Sequence, residues 1–335
     1  MNAPYPWQAR QWQDLLRLSD RDRLGHALLF SGREGVGVAD LALTFAHRTL
    51  CEGPSPDVRP CGKCRGCTLY QAGNHPDLKI LAPVEEGKAI VIDQVRELAG
   101  FYALKSHYGR AKIVFICPAD AMNPAAANAL LKVLEEPPPG ALLMLAAHRF
   151  SAISMTIRSR CIRVPCEQVD ITMALPWLAK ELPNFSPAAL TRVLRQAGGA
   201  PLTARAIANS DRSELDSEIE AAFAGIQQGR THALLQAKQF ADVSLAELLR
   251  VLISLISRLI LAKFGCRSIY DPADEPLEPG LQGLSDHLNL KHLYALLDLL
   301  FESKLLLSRQ SGLREADIAE ALWLGLGRAS GRQGK

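Results

Sequence analysis

No run in this 335-residue chain is long and apolar enough to cross a bilayer; the most hydrophobic one, 251–262, is broken by Arg258. The first 13 residues lack the basic start and apolar core of a secretory signal, so a cytoplasmic protein is expected. Charge of one sign is also missing. The 38 Lys and Arg nearly balance 35 Asp and Glu, and a net charge of +3 does not by itself argue for nucleic acid, which usually draws a concentrated basic patch. There is no internal repeat and no low-complexity segment. What remains is ordinary globular composition, 48% hydrophobic and 22% charged, with enough length for two or three domains.

A more local absence organises the rest. Residues 26–39 read HALLFSGREGVGVA, with Gly32 and Gly37 at the two glycine positions of a phosphate-binding loop. A working loop of this kind continues with a Lys that reaches the β- and γ-phosphates and a hydroxyl that holds Mg²⁺. Here those positions are Val38 and Ala39. The flanking pattern predicts a buried strand at 27–30 and a helix at 36–50, the context such a loop requires. The strand at 112–117, KIVFIC, ends in Cys117 and Pro118, where a hydrolysing enzyme carries a carboxylate pair for Mg²⁺ and water. Both halves of the nucleotide site are thus missing; Asp120, three residues on, is a weak alternative metal ligand.

Cysteine is present in quantity, and its spacing matters more than its number. Cys51, Cys61, Cys64 and Cys67 give C-x9-C-x2-C-x2-C, with Gly62 and Gly66 permitting tight turns. In a reducing compartment this favours metal ligation over disulfides, and four thiolates suit tetrahedral structural zinc. An iron–sulfur cluster is the competing use, but the bacterial ferredoxin run continues to a further Cys and Pro, and this chain has Gln71 and Ala72. His75 is an alternative to Cys51 as fourth ligand, although His75-Pro76 reads as a turn. A nucleic-acid finger is a further reading, but Arg59, Lys63 and Arg65 form a small cluster with no aromatic residue between the ligands.

Taken in order, the chain opens with a helix over 8–18, with Leu15 and Leu18 on one face. After the loop and the cysteines, strands are expected at 78–82 and 89–92, and a helix capped by Asp93 runs to 104. Asn123-Pro124 starts a helix whose apolar stripe is Ala127, Leu130, Leu131 and Leu134, stopped by Pro137 to Pro139. Glu135 and Glu136 end it where the helix dipole disfavours negative charge by up to roughly 1 kcal/mol each, so they are either solvated or met by a partner's cation. A strand at 141–147 and a short helix at 153–157 follow. Alternation of strands and helices over 26–164 predicts a mostly parallel sheet with helices on both faces. From 165 onward only helices are expected: 169–180, 187–196 and 201–208 as a three-helix unit, then 212–227, 231–240, 245–264, 290–307 and 314–326. The acidic, Pro-bearing 271–280 reads as a loop and the last residues as a frayed tail.

The strings NALLKVLEEPP at 128–138 and SRC at 159–161 resemble, in that order and separation, the AAA+ subunits of DNA polymerase clamp loaders. With the degenerate loop, CGKCRGC and QAGNHPDL, the resemblance extends to the delta-prime family of bacterial DNA polymerase III, most strongly over 51–165. It implies an α/β AAA+ P-loop-type parallel-sheet domain at 1–165 with a zinc module at 51–67, a helical lid at 166–208 and an all-α collar at 209–335. It implies structural Zn²⁺ on Cys51, Cys61, Cys64 and Cys67, no ATP bound by this chain, and Arg160 as a finger reaching a neighbour's ATP site. The implied partners are tau/gamma and delta in a hetero-pentameric ring, with the sliding clamp and primer-template DNA met through the complex and no membrane. The chain alone would then be no enzyme; nucleotidyl transfer belongs to the polymerase complex. In hydrolysing relatives an Arg follows the glycine turn of the second domain; here Pro201 and Leu202 follow Gly199, and Arg205 lies a helical turn away.

Chemistry supports the role of Arg160, because a guanidinium neutralises charge developing on a transferred phosphoryl group. Read without the motif, Arg158, Arg160 and Arg163 are ordinary solvated or ion-paired residues. Two function classes therefore compete: a structural subunit that completes a neighbour's site, and a self-sufficient ATPase with a divergent P-loop. Val38 separates them, since it offers a phosphate neither charge nor donor.

Overall fold

The computed structural model describes residues 3–21, 23–53, 60–85, 87–108, 111–166, 169–209, 212–265, 283–285, 288–308 and 314–329. The expected loop at 271–280, the tail beyond 329 and Arg59 lie outside them. The chain divides into two compact units, Met1–Trp177 with Ala200–Thr203, and Leu178–Gly199 with Ala204–Lys335.

The first unit is built on a five-stranded parallel sheet, β1 (Ala27–Ser31), β2 (Leu78–Leu81), β3 (Lys112–Ile116), β4 (Ala141–Ala147) and β5 (Ile162–Pro165), in the order β2-β3-β4-β1-β5. The three inner strands read as unbroken apolar runs because helices cover both faces of a parallel sheet. Phe30, Val114 and Leu145 are accordingly buried. Helices α1 (Ala9–Asp20), α2 (Val38–Leu50), α3 (Arg65–Gln71), α4 (Ile92–Ala103), α5 (Pro124–Glu135) and α6 (Met155–Arg158) connect or precede the strands. Asn123 caps α5 as expected, its side chain accepting from the Ala126 amide at 2.8 Å.

Three expectations are corrected. Residues 89–92 form no strand; Ile90 makes an isolated bridge to Met122, and α4 begins at Ile92. Asp93 is inside that helix, and it is Gln94 that accepts from the Val91 amide (3.0 Å). The α5 stripe is corrected in part: Leu130 and Leu134 are buried as expected and Ala126 joins them, while Ala127 and Leu131 are half-buried against the same cluster. Strand β5 carried too short a signal to be read as one.

Among the described residues the second unit is helical, from α8 (Pro187–Gln196) to α10 (Arg212–Gln227), α11 (Ala233–Gln239), α12 (Leu245–Lys263), α13 (Leu290–Ser308) and α14 (Glu315–Ala329), close to the expected bounds. Helices α7 (Ile171–Glu181) and α9 (Pro201–Ala208) each run across a division between the units. Phe223, Leu252, Leu255, Leu296 and Trp323 form a continuous core in the second unit. Arg258, which breaks the most apolar run, pairs with Glu220 of α10, and Arg250 forks onto Asp216 at 2.6 and 3.1 Å. No described helix is long and apolar enough to cross a membrane.

Candidate functional site

The phosphate-type loop lies between β1 and α2, the place where strand-to-helix turns of parallel sheets bind phosphates. Gly37 starts α2 with φ +81°, a left-handed conformation in which a side chain is strained. The loop's own backbone is already engaged. Trp7 Nε1 donates to the Val36 carbonyl at 3.0 Å, and Gln8 Nε2 donates to Val36 (3.0 Å) and Gly37 (2.7 Å). Tyr5 stacks on Trp7 at 4.9 Å, and Trp177 meets both edge-on. The Leu202 amide donates to Gly35 O at 3.0 Å. Val38 is buried, its Cγ2 packed 3.0 Å from where a Cβ on Gly32 would lie. At the end of β3, burial pushes the Cys117 thiol up to about 11, leaving a neutral group where a carboxylate would be needed. Asp120 is no stray metal ligand; it accepts from the His148 amide (3.0 Å) and Arg149 Nε (3.2 Å).

The four predicted thiols do come together. The sulfurs of Cys51, Cys61, Cys64 and Cys67 all lie within 4.8 Å of one another, with Cys51–Cys64 and Cys61–Cys67 at 3.9 Å. A tetrahedral ion with Zn–S bonds of about 2.3 Å needs sulfurs about 3.8 Å apart, so the donor set fits zinc in chemistry and spacing. Backbone amides support the thiolates: Glu52 N, Cys61 N, Cys64 N and Cys67 N each point at a ligand sulfur at 3.3 to 3.4 Å. Amides of Lys63 and Cys64 bring the Cys61 thiol down to about 6, while burial raises that of Cys67. The expected tight turn falls at Gly62 (φ +72°), whereas Gly66 lies inside α3 and is required by contact: a Cβ there would lie 2.6 Å from Leu50 O, and its amide donates to Glu52 Oε1 at 2.6 Å. His75 is not part of the cluster; its Nδ1 accepts from the Asp77 amide at 3.1 Å. Nearby, the buried His47 ring stacks on Tyr70 at 4.1 Å and joins α2 to α3, an arrangement that no sequence signal marked.

The three arginines of the RSRCIRV segment are used differently. Arg158 and Arg163 lie over the Phe150 ring, at 4.9 and 3.9 Å from its centroid. Arg160 is left at the surface on the turn after α6, a helix whose start is capped by Ser154. Its Nη1 donates to Thr156 O (3.1 Å) and its Nη2 to Glu135 Oε1 (2.9 Å). Sequence reasoning selected Arg160 but not its partner. Arg205, set aside as a nucleotide ligand, pairs with Glu181 at 2.9 Å.

The family profile described as DNA polymerase III, delta subunit, matches residues 7–170. The DNA polymerase III subunit delta' of Pseudomonas aeruginosa is 42% identical over 201 residues, covering 60% of this chain and 60% of that protein. The subunit delta' of Escherichia coli is 35% identical over 238 residues, 70% of each. The DNA polymerase III subunit tau/gamma of Haemophilus influenzae is 33% identical over 207 residues, 59% of this chain and 30% of that protein. The matched region thus spans 60 to 70% of the length of these two delta' relatives.

Proposed function

The chain belongs to the DNA polymerase III subunit delta' family, and on that premise we propose that it is a non-hydrolysing structural subunit of a clamp loader that lends Arg160 to a neighbouring ATPase. Its partners are then tau/gamma and delta subunits in a five-membered ring, which opens a sliding clamp and places it on primed DNA. In this reading 1–165 is the AAA+ domain, 166–208 the lid and 209–335 the collar that holds the ring. Cys51, Cys61, Cys64 and Cys67 hold a zinc ion that crosslinks the module and takes no part in the reaction.

The observation that carries the reading is an oriented, surface arginine in a chain whose own phosphate loop lacks the side chains of a working site. The guanidinium has five N–H donors, of which Thr156 and Glu135 engage two, leaving three for phosphate oxygens. Placed beside a transferred phosphoryl group, it stabilises the charge that builds on the equatorial oxygens, an effect of roughly 10³ to 10⁵ in rate where such fingers act. The loop of this chain gives no support to a self-sufficient ATPase. It has no lysine, no Mg²⁺-holding hydroxyl and no carboxylate pair, and its carbonyls are occupied by Trp7 and Gln8.

Arg160→Ala in the reconstituted complex should leave assembly intact by gel filtration while DNA- and clamp-stimulated ATP turnover falls. Other sites in the ring have their own fingers, so the loss should be partial in turnover and larger in clamp loading. Arg160→Lys should restore only part of the rate, because an ammonium keeps the charge but not the planar fork. Unchanged turnover and loading in an intact Arg160→Ala complex would reject the finger.

A further inference from the structure

We infer that Glu135 is the positioning residue for Arg160: it holds the guanidinium in one rotamer so that its remaining donors face outward, ready for a neighbour's phosphate. The inference rests on the finger reading above and goes beyond it, since nothing in that reading requires a partner for Arg160 within the chain.

Glu135 stands against local helix electrostatics. It is the last residue of α5, where the backbone carbonyls already concentrate negative charge and an acid is disfavoured. A residue that breaks a local rule is expected where function demands it. Its neighbour Glu136 faces the same field, yet among the described residues makes no side-chain hydrogen bond or ion pair, whereas Glu135 meets Arg160 Nη2 at 2.9 Å. The pair joins residues 25 apart in sequence, so local chain geometry does not impose it.

The frame behind the pair is rigid. Ala126, Leu130 and Leu134 of α5 and Ile153 and Ile157 beside Arg160 are buried in one apolar cluster. The Arg160 amide donates to Ile157 O (3.1 Å), tying the finger's backbone to a residue of that cluster. Carboxylate and guanidinium are therefore both carried on elements fixed to the same core, and the Thr156 carbonyl supplies a second fixed acceptor for Nη1. Two acceptors on different elements define the plane of the guanidinium; one alone leaves it free to rotate. As the pair is exposed, 37% for Arg160 and 51% for Glu135, it adds little to folding stability, which leaves orientation as its consequence.

The test uses the reconstituted complex with clamp and primed DNA, its assembly checked by gel filtration, and compares Glu135→Ala, Glu135→Gln, Glu136→Ala, Arg160→Ala and the Glu135→Ala/Arg160→Ala pair. Ordering one long side chain is lost in Glu135→Ala, so kcat for ATP should fall, by no more than in Arg160→Ala, and clamp loading about three- to tenfold, with KM unchanged. Glu135→Gln keeps an acceptor oxygen and should recover most of that loss, while Glu136→Ala should match the wild type. The double variant should be no slower than Arg160→Ala alone, because a positioning residue has nothing left to position. Faster turnover in Glu135→Ala would make the carboxylate a restraint on the finger and overturn the inference. An unchanged kcat in Glu135→Ala, or losses that add in the double variant, would overturn it too while leaving the finger standing. An inert Arg160→Ala would instead remove the finger itself.

Discussion

The two ends of α2 have gone opposite ways. At its start, the turn through Gly37 has the shape of an anion site, yet Val38 and Ala39 stand where charge and hydroxyl belong, and Trp7 and Gln8 donate to the loop's carbonyls. At its end, just past Leu50, the chain gathers four sulfurs within 4.8 Å and aims backbone amides at them. Both regions are glycine-bearing turns. The difference lies in the side chains they carry: the loop has lost those that would meet a nucleotide, whereas in the module four sulfurs converge on a common centre. A motif therefore signals ligand binding only while the side chains that meet the ligand are still there.

The comparison breaks most visibly at the metal end. Cys64→Ser removes one ligand and also the sulfur that accepts from Glu52 N and Cys67 N. Thiolate zinc sites are worth on the order of 10 to 16 kcal/mol near neutral pH, so the wild type should keep about one zinc per chain through purification without added metal. The variant should lose most of it by elemental analysis and gain protease cleavage confined to the module, because the sheet keeps its own core. A variant that retains full zinc, or a wild type that carries iron, would contradict the assignment.

A smaller effect belongs to His47, in the last turn of α2. Burial, helped by His75, lowers it to about 4 from an ordinary 6.5. As the pH falls below 6.5, the unfolded chain takes up a proton that the folded chain refuses. The stabilisation is therefore whole above 6.5 and is lost towards 4, up to about 3 kcal/mol. His47→Phe preserves a ring to stack on Tyr70 and has nothing to titrate, so its urea midpoint should fall less than the wild type's between pH 7 and pH 5. Parallel falls would show that the acid sensitivity lies elsewhere.

Much of this was legible in the sequence, and the residues show why. Gly32, Gly37 and the four cysteines announce themselves by spacing alone, since local chain geometry brings them together. The inner strands were readable because burial on both faces makes them unbroken apolar runs. Strand β5 was not, because four residues take their identity from pairing with β1, more than 130 positions away. Residues 89–92 misled for the opposite reason: an apolar run with only one bridging partner reads as a strand. The closure of the loop by Tyr5, Trp7 and Gln8, and the pairing of Arg160 with Glu135, join distant segments and leave no periodic trace.

The smallest effect should come from returning the loop's missing side chains. Val38→Lys with Ala39→Thr gives back the lysine and the hydroxyl of a working site, and if those two absences were the whole difference, nucleotide should bind. The structure argues otherwise. Position 38 is buried against Gly32, so a lysine there must first find a way out. The loop carbonyls remain held by Trp7 and Gln8, and the end of β3 still presents Cys117 and Pro118 in place of carboxylates. Titration with a fluorescent ATP analogue and Mg²⁺, on protein whose fold is checked by circular dichroism, should show no saturable micromolar binding in either wild type or variant. Saturation in the variant alone would reduce the contrast between the two ends of α2 to two side chains. Saturation in the wild type would mean that the loop's own backbone amides, set at the positive end of α2, suffice to hold a phosphate, and the chain would have to be counted a nucleotide binder after all.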